Sequence, residues 1–326
     1  MFSNEQVIEA SRAFVPAADE TWRLQRGDDA ECRLFRAMLD PEHPEKGGGS
    51  RQGIYVVAPS GRLLAGANVL QADRALELLA RGLAAWQALP EEQRWLAADA
   101  LAAPVRRWES SCPDDGLVLE QFSRDLPADG DPSAQPLPPV QRDHAWFSRA
   151  EARHLLPDEP RAGDVHEVPA SLVTRLARFH LVDAVKGQVQ PFAPEEVEGS
   201  LRVEVVAREG DVVDLRLSGR SDAVARGPWL MGENSWKWPG EHPRSVRVSF
   251  EGRARYDLAT GAFTGFELLA LGTRRGSSGL NGRKGDTDEG PIGFWLQLAG
   301  RAPADRVAPA FVDVYDAAWI VRPDGS

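Results

Sequence analysis

The chain has 326 residues, of which 42% are hydrophobic and 27% are charged, and its net charge is −11. Because this length exceeds that of a typical single domain, we expect two domains with connecting segments. The acidic balance argues against a nucleic-acid partner, since phosphates would be repelled. No apolar run approaches the roughly 20 residues that span a bilayer, and the N-terminus lacks a secretory signal pattern. We therefore expect a cytoplasmic protein with no membrane partner.

Two helices are predicted before residue 40. Apolar residues at helical spacing between Asn4 and Phe14 indicate the first, with Ser3 or Asn4 as its N-cap. Residues 14–18 then predict an extended segment. Asp28 or Asp29 can cap the second helix, which runs to Leu39. These elements predict an α/β unit at the start of the chain.

A strand, turn, strand, helix order completes this unit. Residues 53–58 predict a short apolar strand, Pro59-Ser60-Gly61 a tight turn, and residues 62–65 the start of a second strand. The amphipathic stretch 71–86 predicts the closing helix. This order resembles the end of a thioredoxin fold, and the resemblance covers residues 1–90. It implies a thioredoxin-like scaffold whose first strand and redox helix are missing.

The resemblance carries over no redox chemistry. Thioredoxin-like proteins have a Cys-x-x-Cys motif and a cis-proline ahead of their third strand. This chain has no Cys-x-x-Cys, and residues 50–53 contain no proline. Cys32 is a candidate catalytic thiol because it lies in the first turn of a predicted helix, where the dipole favours a thiolate. Its acidic neighbours oppose that effect, and the other cysteine, Cys112, is distant in sequence.

Residues 91–199 predict a helical and proline-rich connecting region. The segment 127–139 contains five prolines and is typical of a linker. Ser148 and Glu151 have the spacing of a capping box that opens a short helix. A longer helix is predicted from Pro169 to Val185. Between these features, residues 116–122 alternate as a strand does.

Residues 200–326 predict an antiparallel β domain. Alternating apolar residues indicate its strands, which are expected at 201–206, 212–217, 246–255, 263–271 and 292–298. Short turns at Gly210-Asp211 and Thr260-Gly261 join neighbouring strands. This pattern predicts a β-sandwich or a barrel-like sheet. The fold class is therefore α+β, with domains at 1–90, 91–199 and 200–326.

An insertion between two of these strands contains Trp229, Trp236 and Trp238. Glu233 and Asn234 lie beside these tryptophans in sequence. Loop aromatics next to polar groups form platforms for a sugar, a peptide or an aromatic ligand. Alternatively, the rings fold back and cap the open end of the β domain. The insertion is the predicted binding surface for a protein or a small ligand.

Other chemistry-bearing residues give weaker patterns. Asp286 and Asp288 resemble part of a calcium loop but lack its remaining oxygen ligands. Cys112, His144 and Asp143 would make a nucleophile set if the fold brought them together. A further histidine, at position 180, lies beside the apolar stripe of its predicted helix and is interpreted as a structural residue.

These patterns favour a non-catalytic interaction or ligand-binding protein without a cofactor. One alternative is a thiol-dependent oxidoreductase that uses Cys32 or Cys112. The other is a hydrolase with a site at the domain interface, which requires His144 or His180 within hydrogen-bond reach of a carboxylate. An uncovered edge of the N-terminal sheet also predicts an oligomeric contact.

Overall fold

The structure is a computed structural model with an α+β architecture. The strands that the structure describes form one eight-stranded antiparallel sheet and two small two-stranded sheets. The chain divides into two compact units, 1–105 and 106–326, which we describe separately. The residues that the structure describes are 4–18, 21–39, 51–96, 115–127, 140–231, 236–238, 240–278, 281–302, 305–307 and 309.

Unit 1 consists of helices around a single β-hairpin in its described part. In chain order, its elements are α1 (Glu5–Ser11), α2 (Thr21–Arg26), α3 (Ala30–Leu39), β1 (Ile54–Val57), β2 (Leu63–Ala67) and α4 (Ala72–Ala88). The strands β1 and β2 pair antiparallel, and α4 packs on the hairpin through a small core of Val56, Ala65 and Leu78. The predicted strand, turn, strand, helix order is confirmed.

Both predicted N-caps of unit 1 are present. The Asn4 side chain accepts hydrogen bonds from the first turn of α1, and Asp29 Oδ1 accepts one of 2.8 Å from the backbone N of Cys32 in α3. Residues 14–18, where an extended segment is predicted, form no strand. Pro16 has no backbone N–H that could donate a hydrogen bond to a neighbouring strand. Among the described residues β1 and β2 therefore pair only with each other, and the thioredoxin-like relationship of the unit stays a prediction.

The described part of unit 2 contains the large sheet, the small sheet of two short strands and two α-helices. In chain order, its elements are β3 (Leu117–Asp125), β4 (Gln141–Phe147), α5 (Arg149–Arg153), β5 (Val165–Glu167), α6 (Ala170–Phe179), β6 (Val197–Glu209), β7 (Val212–Ala225), β8 (Trp229–Met231), β9 (Trp236–Trp238), β10 (Arg244–Asp257), β11 (Ala262–Arg275) and β12 (Gly290–Leu298). The large sheet has the order β4-β3-β12-β11-β10-β7-β6-β5.

This strand order is that of a meander rolled on itself. From β5 to β12 the strands pair in chain order, with β10 following β7 across the β8–β9 insertion, and β12 pairs with β3, which pairs with β4. Glycines permit the bending: a Cβ atom at Gly219 would overlap the carbonyl oxygen of Ser200, and one at Gly272 would overlap that of Arg247. The edges β4 and β5 leave an opening in the roll.

One continuous core fills the inner face of the sheet. It contains buried residues from α5, α6 and all the long strands. Its centre includes Phe250, Leu268 and Phe294, which alternate with outward-facing residues along their strands. Helix α6 adds its apolar side, including Leu172 and Leu176, and packs chiefly on β6. Helix α6 therefore covers the inner face of the sheet at β6 and β7.

Three expectations differ from this architecture. The strands predicted after residue 200 join one rolled sheet rather than the two packed sheets of a sandwich. The boundaries predicted at 90 and 199 also differ, because β3, β4 and β5 complete the large sheet from within 91–199. Pro169 is the N-cap of α6, and the helix ends at Phe179 rather than Val185.

Candidate functional site

The predicted tryptophan insertion forms a hairpin between β7 and β10. Strands β8 and β9 pair antiparallel, with Trp229 opposite Trp238 and Trp236 on the same strand as Trp238. Glu233 and Asn234 lie outside the described residues. The role of this hairpin as a binding platform stays a prediction.

Cys32 lies in the first turn of α3, as the sequence predicts, but its side chain is fully buried. A thiol that exchanges with a disulfide must be reached by its partner sulfur. Burial therefore disfavours Cys32 as a redox residue. Cys112, the other candidate thiol, lies outside the described residues.

Asp286, one of the two predicted cation ligands, forms an ion pair with Arg274. Its Oδ2 accepts a 2.8 Å hydrogen bond from Nη2 of Arg274, and this bond lowers the pKa of the Asp286 carboxyl. Asp288, the other predicted ligand, is exposed. Within the described ranges, no group of three or more His, Cys, Asp or Glu side chains is arranged to hold a metal ion.

A buried charge network holds the loop after β11 against the rest of unit 2. The Arg283 side chain is 0% exposed and donates to Asp125 Oδ1 and Oδ2, at 2.7 and 3.0 Å, and to Asp183 Oδ1 at 2.6 Å. Lys186 Nζ lies 3.0 Å from Asp125 Oδ2. Burial raises the pKa of Asp125, but the hydrogen bonds from Arg283 and Lys186 outweigh it and lower that pKa. The network fixes three distant segments together.

A histidine–carboxylate pair does form, as the hydrolase alternative requires. Nδ1 of His180 lies 2.7 Å from Oδ2 of Asp143, and both residues are buried in the core. Asp143 does not pair with His144, because consecutive strand residues point to opposite faces of β4. On the outer face, burial lowers the pKa of His144. The His180–Asp143 pair lines neither of the two cavities described below, so the interpretation of His180 as structural fits this geometry.

An aromatic row crosses the outer face of the large sheet. Trp295 on β12 lies opposite Phe122 on β3 and opposite Leu269 on β11. The ring centroids of Phe122 and Trp295 are 5.6 Å apart at an interplanar angle of 30°. Trp295 is nevertheless 42% exposed and Leu269 is 43% exposed. The indole ring is therefore held by a neighbouring ring on one side and open to solvent on the other.

This row borders a concavity with a volume of about 750 Å³, which we call the outer-face groove. It is lined by Arg216, Leu217, Ser218, Glu251, Gly252, Arg253, Glu267, Leu269 and Trp295. Arg253 Nε donates to Glu267 Oε2 at 2.8 Å, and the two side chains are 81% and 45% exposed. Its two arginines are matched by two glutamates. The groove thus combines an aromatic wall with exposed donors and acceptors and carries no excess charge.

The outer-face groove is not among the sites predicted from the sequence, although the sequence contains one signal for it. In 292–298 the inward positions are Ile292, Phe294 and Leu296, all buried. Trp295 occupies the outward position of that alternation, where a polar residue is usual. An outward tryptophan in the middle of a strand is the feature that marks the site. Its partner Phe122 is distant in sequence and gives no local signal.

No protein-family model matches the chain, and no curated protein or solved structure is similar to it at a significant level. In the part of the chain that the structure describes, no helix is both long enough and apolar enough to cross a membrane. Function is therefore inferred from the geometry of the described residues.

Proposed function

We propose that this is a non-catalytic ligand-binding protein whose rolled sheet binds a neutral oligosaccharide in the outer-face groove. The observation that supports this proposal is the exposed Trp295 ring, braced by Phe122 at 5.6 Å. An indole offers a rigid, flat, apolar surface to the C–H face of a sugar ring and loses little conformational freedom on binding. The row continues through Leu269, which lengthens the apolar wall.

The polar wall of the groove suits hydroxyl groups. Arg216 and Arg253 supply guanidinium donors, and Glu251 and Glu267 supply carboxylate acceptors. Because these charges balance, the groove favours a neutral ligand with many hydroxyls over an anion or a cation. A volume of about 750 Å³ lies within the range of small-molecule sites, roughly 300–1,000 Å³. It accommodates a short oligosaccharide.

The test is calorimetric titration of the full chain with neutral cello-, xylo-, malto- and chito-oligosaccharides. We expect one of these series to bind and Trp295→Ala to weaken that binding about tenfold or more, which corresponds to ~1.4 kcal/mol. Leu271→Ala is the matched control, since Leu271 is an exposed apolar residue of the same face outside the groove. Absence of binding by all four series, or equal loss in both variants, contradicts the proposal.

The tryptophans of the β8–β9 hairpin are a second candidate surface for the same function. Replacing Trp229, Trp236 and Trp238 together by alanine tests them in the same titration. If the groove is the site, the triple variant retains oligosaccharide binding and Trp295→Ala does not. The reverse result transfers the proposal to the hairpin.

For unit 1 we propose a structural role. Its only described cysteine is buried, and its hairpin has no further described strand on either edge. The proposal includes a thioredoxin-like relationship, a cytoplasmic location and an oligomeric contact through the open hairpin edge. A thiol-dependent oxidoreductase activity and a hydrolase site at the domain interface remain its alternatives.

A further inference from the structure

A second cavity lies at one end of the large sheet, away from the outer-face groove. Its volume is about 340 Å³, and it is formed by the turn joining β10 to β11, the start of β3, α5 and the residues after β12. Three arginines line it: Arg149, Arg301 and Arg306. We call it the arginine pocket.

The charge of the arginine pocket is opposite to that of the protein. Among the described residues that line it, three are arginines and one, Asp115, has a carboxylate, whereas the whole chain has a net charge of −11. Nη1 of Arg149 lies 3.9 Å from Asp115 Oδ2, so this pair is loose. A concave site with excess positive charge concentrates small anions. In this respect the pocket differs from the groove, whose charges balance.

Backbone carbonyls hold two of these guanidinium groups in place. Arg149 Nη2 donates to Thr260 O at 2.7 Å, and Arg306 Nη2 donates to Gly116 O at 3.4 Å. The Arg306 guanidinium also lies over the ring of Trp146, 5.4 Å from its centroid. A carbonyl acceptor positions a guanidinium but adds no carboxylate charge of its own. The arginines are thus preorganised for an anion, which lowers the entropic cost of binding.

The remaining wall of the pocket is apolar. Tyr256 and Phe263 meet edge to face, with centroids 5.0 Å apart, and Leu117 and Leu298 also line the cavity. A ligand that fills this space has an apolar body as well as an anionic group. Guanidinium groups bind planar carboxylates through paired hydrogen bonds. We propose that the arginine pocket binds a small organic carboxylate with an apolar body.

Phenylacetate and inorganic phosphate are the probes that test this proposal. We expect saturable calorimetric binding of phenylacetate to the full chain, weakening as salt is added. Arg301→Gln and Arg306→Gln should each reduce the affinity about tenfold. Arg161→Gln removes the same charge at an exposed position outside the pocket and should leave the affinity unchanged.

Each other result overturns the proposal or a stated part of it. No saturable phenylacetate binding, or equal affinity in the wild type and both arginine variants, refutes the site. If phosphate binds as tightly as phenylacetate, the inference that the ligand has an apolar body is wrong. Arg301 is exposed, so Arg301→Gln should keep the wild-type melting temperature even if Arg306→Gln unfolds. Trp295→Ala should retain phenylacetate binding, which separates this site from the outer-face groove.

Discussion

Two arginine–carboxylate groups of unit 2, one buried and one on the outer face of the large sheet, differ in their surroundings. Inside, Arg283 is completely buried between Asp125 and Asp183. Outside, Arg253 is 81% exposed beside Glu267. Water cannot replace a lost partner for the inner guanidinium, whereas it readily does so for the outer one. Burial, rather than the presence of an ion pair, therefore separates charges that hold the fold from charges available to a ligand.

Consecutive aromatic residues of β12 show the same contrast. Phe294 is completely buried in the core, and Trp295 is largely open on the other face. The strand presents one ring to each side because its side chains alternate. Core rings contribute stability, and a braced but exposed ring contributes surface that a ligand can cover.

The largest effect is expected from Arg283→Met. Removing Arg283 takes away its hydrogen bonds to Asp125 and Asp183 and leaves these carboxylates with Lys186, 3.0 Å from Asp125, and Arg274, 4.0 Å from Asp183. We expect a loss of about 3–5 kcal/mol in the free energy of unfolding. Urea denaturation measures it. Arg253→Met, the matched change on the outer face, should cost less than about 1 kcal/mol. Similar losses in the two variants would break the comparison.

A smaller effect is expected from acidification. The lowered pKa of Asp125 means that the folded state binds a proton there less readily than the unfolded state. Its contribution to stability is present above the unfolded pKa of about 4 and is lost as pH falls through the folded pKa. The loss should stay below that of Arg283→Met, because a protonated Asp125 still forms hydrogen bonds.

Urea denaturation of wild type and Asp125→Asn between pH 7 and pH 3 measures this contribution. Other carboxylates titrate in both proteins, so the difference between the two curves isolates Asp125. We expect the wild type to lose more stability than the variant across this range. Parallel curves would show that Asp125 does not titrate as the buried network requires.

The smallest effect is expected for the Arg253–Glu267 pair itself. A double-mutant cycle with Arg253→Gln and Glu267→Gln should give a coupling energy below about 1 kcal/mol. Because both side chains are exposed, added salt should reduce the coupling further. A coupling of several kcal/mol, insensitive to salt, would place this outer pair in the same class as the inner network.

Local features of unit 2 and unit 1 were predictable because they depend on neighbouring residues. Asn4, Asp29 and Ser148 cap their helices as expected. The alternation that marks 212–217 and the turn at Gly210-Asp211 likewise give a strand and a hairpin. Short-range rules suffice wherever a side chain satisfies the backbone next to it.

The prediction that the helix after Pro169 continues to Val185 was wrong. The apolar residues that follow Phe179 are buried by tertiary packing and not by a continued helix. Residues 181–185 are all buried although they follow the end of α6 at Phe179. Apolar residues that are enclosed by tertiary structure carry no information about backbone conformation. The same limit explains why the rolled sheet was not distinguished from a sandwich.

The candidate sites depended on contacts between distant parts of the chain. Trp295 meets Phe122, and His180 meets Asp143, only through strand pairing and core packing. Sequence spacing placed Asp143 with its neighbour His144 instead. A pattern shows which face a residue occupies on its own strand, but not which strand lies beside it.

The pairing of β3 with β12 also sets an order of events during synthesis. β3 belongs to the first strands of the rolled sheet to be made, and β12 is the last. Until translation reaches residue 298, β3 has only its hairpin partner β4, and one row of its amides and carbonyls is unsatisfied. While the residues between β4 and β12 are being made, the nascent chain therefore has an unpaired strand edge, which favours chaperone contact or misassociation.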